Sequence, residues 1–361
     1  MLMRRVPNMT MTTAPTIDAI LHEHRRLRVR RHALLVALAI ACLAAIALDV
    51  ATGPSAMSPW KIVTGLINPG SLSPSEAAIV WQIRLPYALT AVLVGACLAL
   101  SGAEMQTVLD NPLASPFTLG VSSAASFGAS LAIVLGLGVP FLPSDAIVAL
   151  NAFVFAFGSV LLLQAMARAR RGGVQSIVLF GIAMVFAFNA LTALVQFVAS
   201  QEALQQLVFW TMGSLSRASW RSVAVLAAVL ALAAPFSWVA ARALTALRLG
   251  EDRAASAGVD VARLRFFSML RASLLSATAV AFVGVVGFVG LVGPHIARLL
   301  VGEDHRLFLP ASVLSGALLM SLASAASKTM VPGALLPVGV VTAVIGVPAF
   351  LFLIFKSGAR G

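Results

Sequence analysis

RLPYALTAVLVGACLALSGAEMQTVLDNPLASPFTLG, residues 84–120, decides how this chain is read. From Pro86 to Gln106 the only charged residue is Glu104. As a helix these 21 residues rise about 1.5 Å each, enough to cross ~30 Å of hydrocarbon. Only ten residues then separate Gln106 from Phe117, where the next apolar run starts. Pro112 and Pro116 forbid ordinary helix continuation, while Asp110 and Asn111 favour a turn. The stretch reads as a membrane crossing, a tight polar elbow and the start of the return.

Moving outward, the same pattern recurs along all 361 residues, of which 60% are apolar and 11% charged. A soluble domain of this length would show amphipathic stripes with charges every few positions, and it does not. The sequence therefore predicts an all-α, polytopic membrane protein with ten spans: Ala33–Val50, Pro86–Gln106, Phe117–Val139, Ala146–Ala167, Ser176–Ala199, Val223–Leu244, Phe266–Val286, Phe288–Val301, Leu309–Ser327 and Pro337–Phe355. Residues 1–32 form a basic leader, partly disordered; 33–356 form the membrane domain; 357–361 are a short tail. Cys42 and Cys97 each lie inside an apolar run and read as small hydrophobes, not as a disulfide framework.

The formal net charge of +12 follows the expected topology and does not point to nucleic acid. With both termini cytosolic, nineteen basic residues fall on the inner side, including Arg25, Arg26, Arg28, Arg30 and Arg31 before the first span. Five fall outside, Lys61, Arg84, Arg217, Arg221 and Lys328, and Arg271 is left within a span. That bias matches the positive-inside rule. The eighth span is short and must be covered by protein. Glu104 sits near the inner edge of its span, where it bonds into the elbow or titrates, and Arg271 lies within snorkelling distance of the interface.

The inner segment from Ala246 to Phe267 differs from a plain connector. GEDRAASAG, residues 250–258, fits a short helix. Glu251 and Asp252 occupy its first turn, where the helix dipole favours anions, and Gly258 suits a C-terminal cap. Composition alone leaves it open whether this is a solvated loop or a docking element. No lysine here sits in a phosphate-binding P-loop, so the chain lacks that route to ATP hydrolysis. His22, His24, His32, His295 and His305 are scattered in tails and loop ends, and no metal cluster or catalytic triad is legible.

Five collinear blocks carry a family resemblance: residues 84–123, FWTMGSLSRASW (209–220), LRLGEDRAASAGVDVARLR (247–265), GFVGLVGPHIARLLVGEDHR (287–306) and LLPVGVVTAVIGVPAFLFLIFK (335–356). Together they resemble the FecCD-type permeases of type II ABC importers, which move ferric siderophores, haem and cobalamin across the bacterial inner membrane. The resemblance implies a homodimer of ten-helix subunits with a central translocation path. It also implies two ATP-binding cassette subunits that hold ATP and Mg, with no cofactor in this chain, and a periplasmic substrate-binding protein.

By the same resemblance Arg84 and Lys328 receive carboxylates of the binding protein, and Tyr87 stands where the family has a second docking arginine. Asn111 and Leu113 are implied as gate residues, with Val174 and Gln175 as their counterparts. Gly250, Glu251, Asp252, Arg253, Ala254, Ala255, Ser256, Ala257 and Gly258 correspond to the coupling helix that seats in the ATPase. The cargo expected first is a ferric siderophore, with haem or cobalamin as the alternative. Two other classes compete: an ion-coupled secondary transporter, which needs ionisable residues near the midplane of broken helices, and a passive scaffold.

Overall fold

The computed structural model describes residues 17–358 apart from 54, 56, 170–172 and 332. The leader's first sixteen residues, Arg170, Arg171 and residues 359–361 lie outside the described residues, and so do the expectations that fall on them. Fourteen α-helices and no strand occupy the described residues. Each of the ten expected spans falls on a helix: α1 (Ile17–Ala51), α4 (Leu85–Val108), α5 (Val121–Leu135), α6 (Ser144–Ala169), α7 (Val174–Phe197), α9 (Trp220–Leu247), α11 (Val261–Val283), α12 (Val289–Val301), α13 (His305–Thr329) and α14 (Val338–Gly358). Seven helical stretches are long and apolar enough to cross a membrane. The short α12 packs against α4 and α13, as a helix of only 13 residues requires.

Between these helices stand α2 (Pro59–Ile67), α3 (Pro74–Ala78), α8 (Gln201–Thr211) and α10 (Glu251–Ser256). Of the four, only α10 was expected from the sequence. The second span also starts earlier than Pro86 suggested. A π-helical turn, Ile79–Arg84, joins α3 to α4, with the Leu85 N–H bonded to the Val80 carbonyl. That wider turn lets the helix run through a proline that has no N–H to donate.

α4 is the axis of the molecule. Twenty of its 24 residues are buried, the signature of a helix apolar all round, and α9, α11, α12 and α13 surround it. Lipid tails are as apolar as leucine, so helices here associate through close packing. Small residues provide that closeness. A Cβ at Gly102 would lie 1.7 Å from the Gly290 carbonyl oxygen on α12, and one at Gly95 would lie 2.2 Å from that of Gly316 on α13.

This contact yields a stability prediction. Gly102→Ala is expected to lower the melting point in detergent, by roughly 1–3 kcal/mol of stability, the cost of overpacking. Gly158→Ala, where an added methyl meets nothing within 4 Å, is expected to leave it unchanged or raise it. Equal melting points for the two variants would refute the close α4–α12 approach.

Candidate coupling and gating face

α10 is bounded by two glycines that the backbone requires. Gly250 precedes it at φ +114° and Gly258 follows at φ +83°, both in territory that side chains rarely enter. The Val259 N–H bonds to the Ala254 carbonyl at 3.0 Å and the Gly258 N–H to that of Ala255 at 2.9 Å. That pair of bonds is a Schellman closure. Glu251 and Asp252 lie in the first turn, as the dipole favours. Among residues 250–258 only Ala254 is buried; the others are exposed. The helix thus stands on the surface, held by a single buried methyl.

Arg265 ties it to the end of α4, and Arg248, just before it in the chain, ties the connector from α9 to the elbow. Arg265, in the first turns of α11, donates from Nη2 to Glu251 Oε1 at 2.5 Å and from Nε to the Val108 carbonyl at 3.0 Å. Val108 is the last residue of α4. On the other side of α10, Arg248 donates from Nη1 to Asp110 Oδ1 at 2.6 Å and from Nη2 to Glu303 Oε1 at 3.0 Å. Asp110 opens the elbow at φ +42°, and the Asn111 side chain accepts from the Leu113 N–H at 2.9 Å. Asp110 is 81% exposed and Glu251 58%. Each pair therefore contributes no more than ~1 kcal/mol to stability. Such ties set position without fixing it irreversibly.

The expected gate residues lie on this face. Leu113 is half exposed, Asn111 and Val174 are partly buried and Gln175 is exposed. The elbow meets α7 directly, since a Cβ at Gly181 would lie 3.0 Å from Leu119 and one at Gly120 would lie 3.4 Å from the Met184 Cβ. Val174 and Gln175 begin that same helix.

A second layer lies beneath. Glu303 also pairs with Arg298 Nε at 3.2 Å, and Arg298 Nη2 donates to Gln106 Oε1 at 3.1 Å. His305 is buried, with Nε2 2.8 Å from the Thr107 hydroxyl and Nδ1 3.3 Å from that of Thr245. The last turns of α4 and α9 are thereby joined to the start of α13. Asp304 caps α13, and the Arg306 guanidinium hydrogen-bonded to it holds its carboxyl below the usual aspartate range.

Arg271 departs from expectation. It does not snorkel: its Nη2 donates to Glu104 Oε2 at 2.7 Å and its Nε to Oε1 at 3.2 Å. The Ser237 hydroxyl donates to Glu104 as well, and Arg271 Nη2 also reaches Ser268 at 2.9 Å. Glu104 is fully buried and Arg271 14% exposed. The pair bonds α4, α9 and α11 together. Sequence alone assigns Glu104 to the elbow and Arg271 to the interface. Two opposite charges inside apolar spans were the signal that could have found the pair, because a buried charge is affordable only when paired.

At the opposite end, the residues expected to meet the binding protein are engaged internally. Arg84 is 4% exposed and donates to the carbonyls of Val50 (3.1 Å), Ala51 (3.0 Å) and Ser55 (2.8 Å). Lys328 Nζ donates to Asp49 Oδ1 at 2.7 Å and sits 4.4 Å from the centre of the buried Tyr87 ring. Ser324 donates to both oxygens of Asp49. In this conformation an external carboxylate would have to displace these partners. Asp49, which ties α1 to α13, was missed because it looked like the end of a span.

Among the described residues no group of three or more His, Cys, Asp and Glu is placed to hold a metal ion. The model of the FecCD transport family matches residues 38–356. The vitamin B12 import system permease protein BtuC of Vibrio vulnificus is 36% identical over 341 residues, 94% of this chain and 97% of that protein. The hemin transport system permease protein HmuU of Yersinia pestis is 36% identical over 279 residues, 77% of this chain and 84% of that protein. Among solved structures, a metal-chelate type ABC transporter in an inward-facing conformation is 30% identical, with a TM-score of 0.79, over 90% of this chain and 99% of that one.

Breaking the buried pair tests its weight. Arg271→Ala strands a buried carboxylate and is expected to cost about 3–5 kcal/mol, whereas the joint replacement Glu104→Leu with Arg271→Met recovers most of it. Thermal unfolding of the two variants measures this. A double variant no more stable than the single one would contradict the pairing.

Proposed function

Since the chain belongs to the FecCD transport family, we propose that it is the permease of an ABC importer whose cargo is an iron chelate, driven through α10. Two copies enclose the central path, two separate ATP-binding cassette subunits seat α10 from the cytosol, and a periplasmic binding protein delivers cargo at the far end. The tie of α10 to the elbow by Arg248 and Arg265 is the observation that carries this reading. When the partner ATPase shifts Glu251 and Asp252, Arg265 passes the displacement to Val108 and Arg248 passes it to Asp110. Asn111 and Leu113 then move relative to Val174 and Gln175, opening or closing the path. Nucleotide state acts by favouring one of two arrangements, and the coupling energy enters at α10.

The basic bias of the α10 face supports a cytosolic placement of both termini in the bacterial inner membrane. The guanidinium of Arg31, from the basic end of α1, lies at this face, within 3.3 Å of a Cβ built on Gly302. At the opposite end Arg84, Tyr87 and Lys328 brace the surface that receives the binding protein and hold the end of α1 in place. Ferric siderophore is the cargo we place first; haem and cobalamin are the alternatives, in line with the names of the two relatives. Calorimetric titration of the cognate binding protein with each chelate decides among them. A secondary transporter finds little support, because Glu104 is neutralised by Arg271 and is not presented to a path.

In proteoliposomes holding the permease, its ATPase and its binding protein, Arg265→Ala is expected to reduce uptake per ATP hydrolysed by roughly tenfold, within the usual range of coupling energies. Basal hydrolysis is expected to persist. Unchanged uptake would overturn the role given to α10, and gradient-driven uptake without the ATPase would overturn the whole reading.

A further inference from the structure

α1 continues as one helix well beyond its apolar part, from Ile17 to Ala51. Its extension carries Arg25, Arg26, Arg28, Arg30 and Arg31, five arginines in seven residues. It lies outside the stretch that the family model matches, and nothing in the importer mechanism uses it. Arg25, Arg26, Arg28 and Arg30 are exposed, while Arg31 is half buried against the bundle near Gly302. None of the ion pairs among the described residues involves these five. Asp18 and Glu23 are the only carboxylates between residues 1 and 48.

Position and geometry select the counter-charge. At about 1.5 Å per residue, Arg25 to Arg31 lie roughly 3–12 Å beyond Ala33, where apolar sequence begins. The headgroup layer is about 5–8 Å deep on each side, so Arg28 to Arg31 lie at its depth and Arg25 and Arg26 just beyond it, within a Debye length of its charge. Successive residues turn by about 100°, so Arg25, Arg26, Arg28 and Arg30 spread over an arc of about 200° on the side away from Arg31 and form an open collar. His22, Arg25, Arg26, Val29 and Arg30 line a shallow groove on it. Like charges three and four residues apart, such as Arg26 and Arg30, weaken a helix unless anions lie between them. No lysine occurs in this extension; its fixed positive charge is carried by arginine, whose fork grips phosphate oxygens two at a time.

We propose that the Arg25–Arg30 collar is a binding site for anionic phospholipid headgroups, which fix the depth of α1 and hold it beside the α12–α13 turn. The occupant is the phosphodiester of a lipid already in the bilayer, and attraction to an anionic leaflet grows with each arginine near the surface.

The test uses the full chain alone, so its failure is distinct from failure of the importer reading. Wild type, a fourfold Gln variant (R25Q, R26Q, R28Q, R30Q) and a fourfold Lys variant at the same positions are placed in nanodiscs of phosphatidylcholine with added phosphatidylglycerol. Lipids retained on the protein are counted by native mass spectrometry. Wild type is expected to retain phosphatidylglycerol over phosphatidylcholine at a ratio at least roughly fivefold above the Gln variant. The Lys variant is expected to keep the enrichment, and inorganic phosphate is expected not to displace the lipid beyond chloride of equal ionic strength.

Equal enrichment in wild type and Gln variant would overturn the proposal. So would a Lys variant as poor as the Gln variant, because attraction to an anionic leaflet needs only the positive charges that lysine keeps. Displacement by inorganic phosphate would reassign the collar to soluble anions.

Discussion

Arg248 and Arg265 flank α10 in sequence, and both reach past it to the end of α4. Because of them, the exposed helix, the elbow after α4 and the α12–α13 turn hold one relative position instead of three independent ones. The contacts are individually weak, being partly exposed and screened. Acting together, they let α10, the elbow and the α12–α13 turn be displaced as one unit, as the proposed coupling requires.

The rest of the molecule supplies what that tie pulls against. In hydrocarbon an unpaired charge is costly, so Glu104, Arg271, Asp49 and Lys328 inside the bundle are paired across helices. Glu104 with Arg271 and Ser237 joins α4 to α9 and α11, and Asp49 with Lys328 and Ser324 joins α1 to α13. Glycines bring the backbones of α4, α12 and α13 almost into contact. The consequence is a closely packed axis around α4, ending in a set of partly exposed polar contacts on the α10 face.

Much of this was legible in the sequence, for physical reasons that differ by element. Apolar runs bounded by Pro, Asn and Asp located every long helix, because hydrocarbon permits few other solutions. Gly250, the acidic first turn and Gly258 located α10, since dipole and cap chemistry act locally. Pairings were harder. Arg271 read as a snorkelling side chain because its partner lies 167 positions away in the chain, and the pattern within one span says nothing about which face meets which neighbour. Arg84 read as an outward charge for the same reason, although it caps carbonyls at the end of α1. The short helices α2 and α8 escaped notice because, at 9 and 11 residues, they are too brief to show a period above the apolar background.

The claim that the tie moves the elbow is tested most directly by spin-label distances between Asp252→Cys on α10 and Leu113→Cys at the elbow. They are measured in the assembled transporter with and without nucleotide, in the wild-type background and with Arg248 and Arg265 both changed to Ala. The account predicts a short, narrow distance that is preserved between nucleotide states when both arginines are present, and a broadened, nucleotide-dependent distance when they are gone. A distance that already shifts with nucleotide while the arginines are intact, or one that is indifferent to their removal, would contradict it.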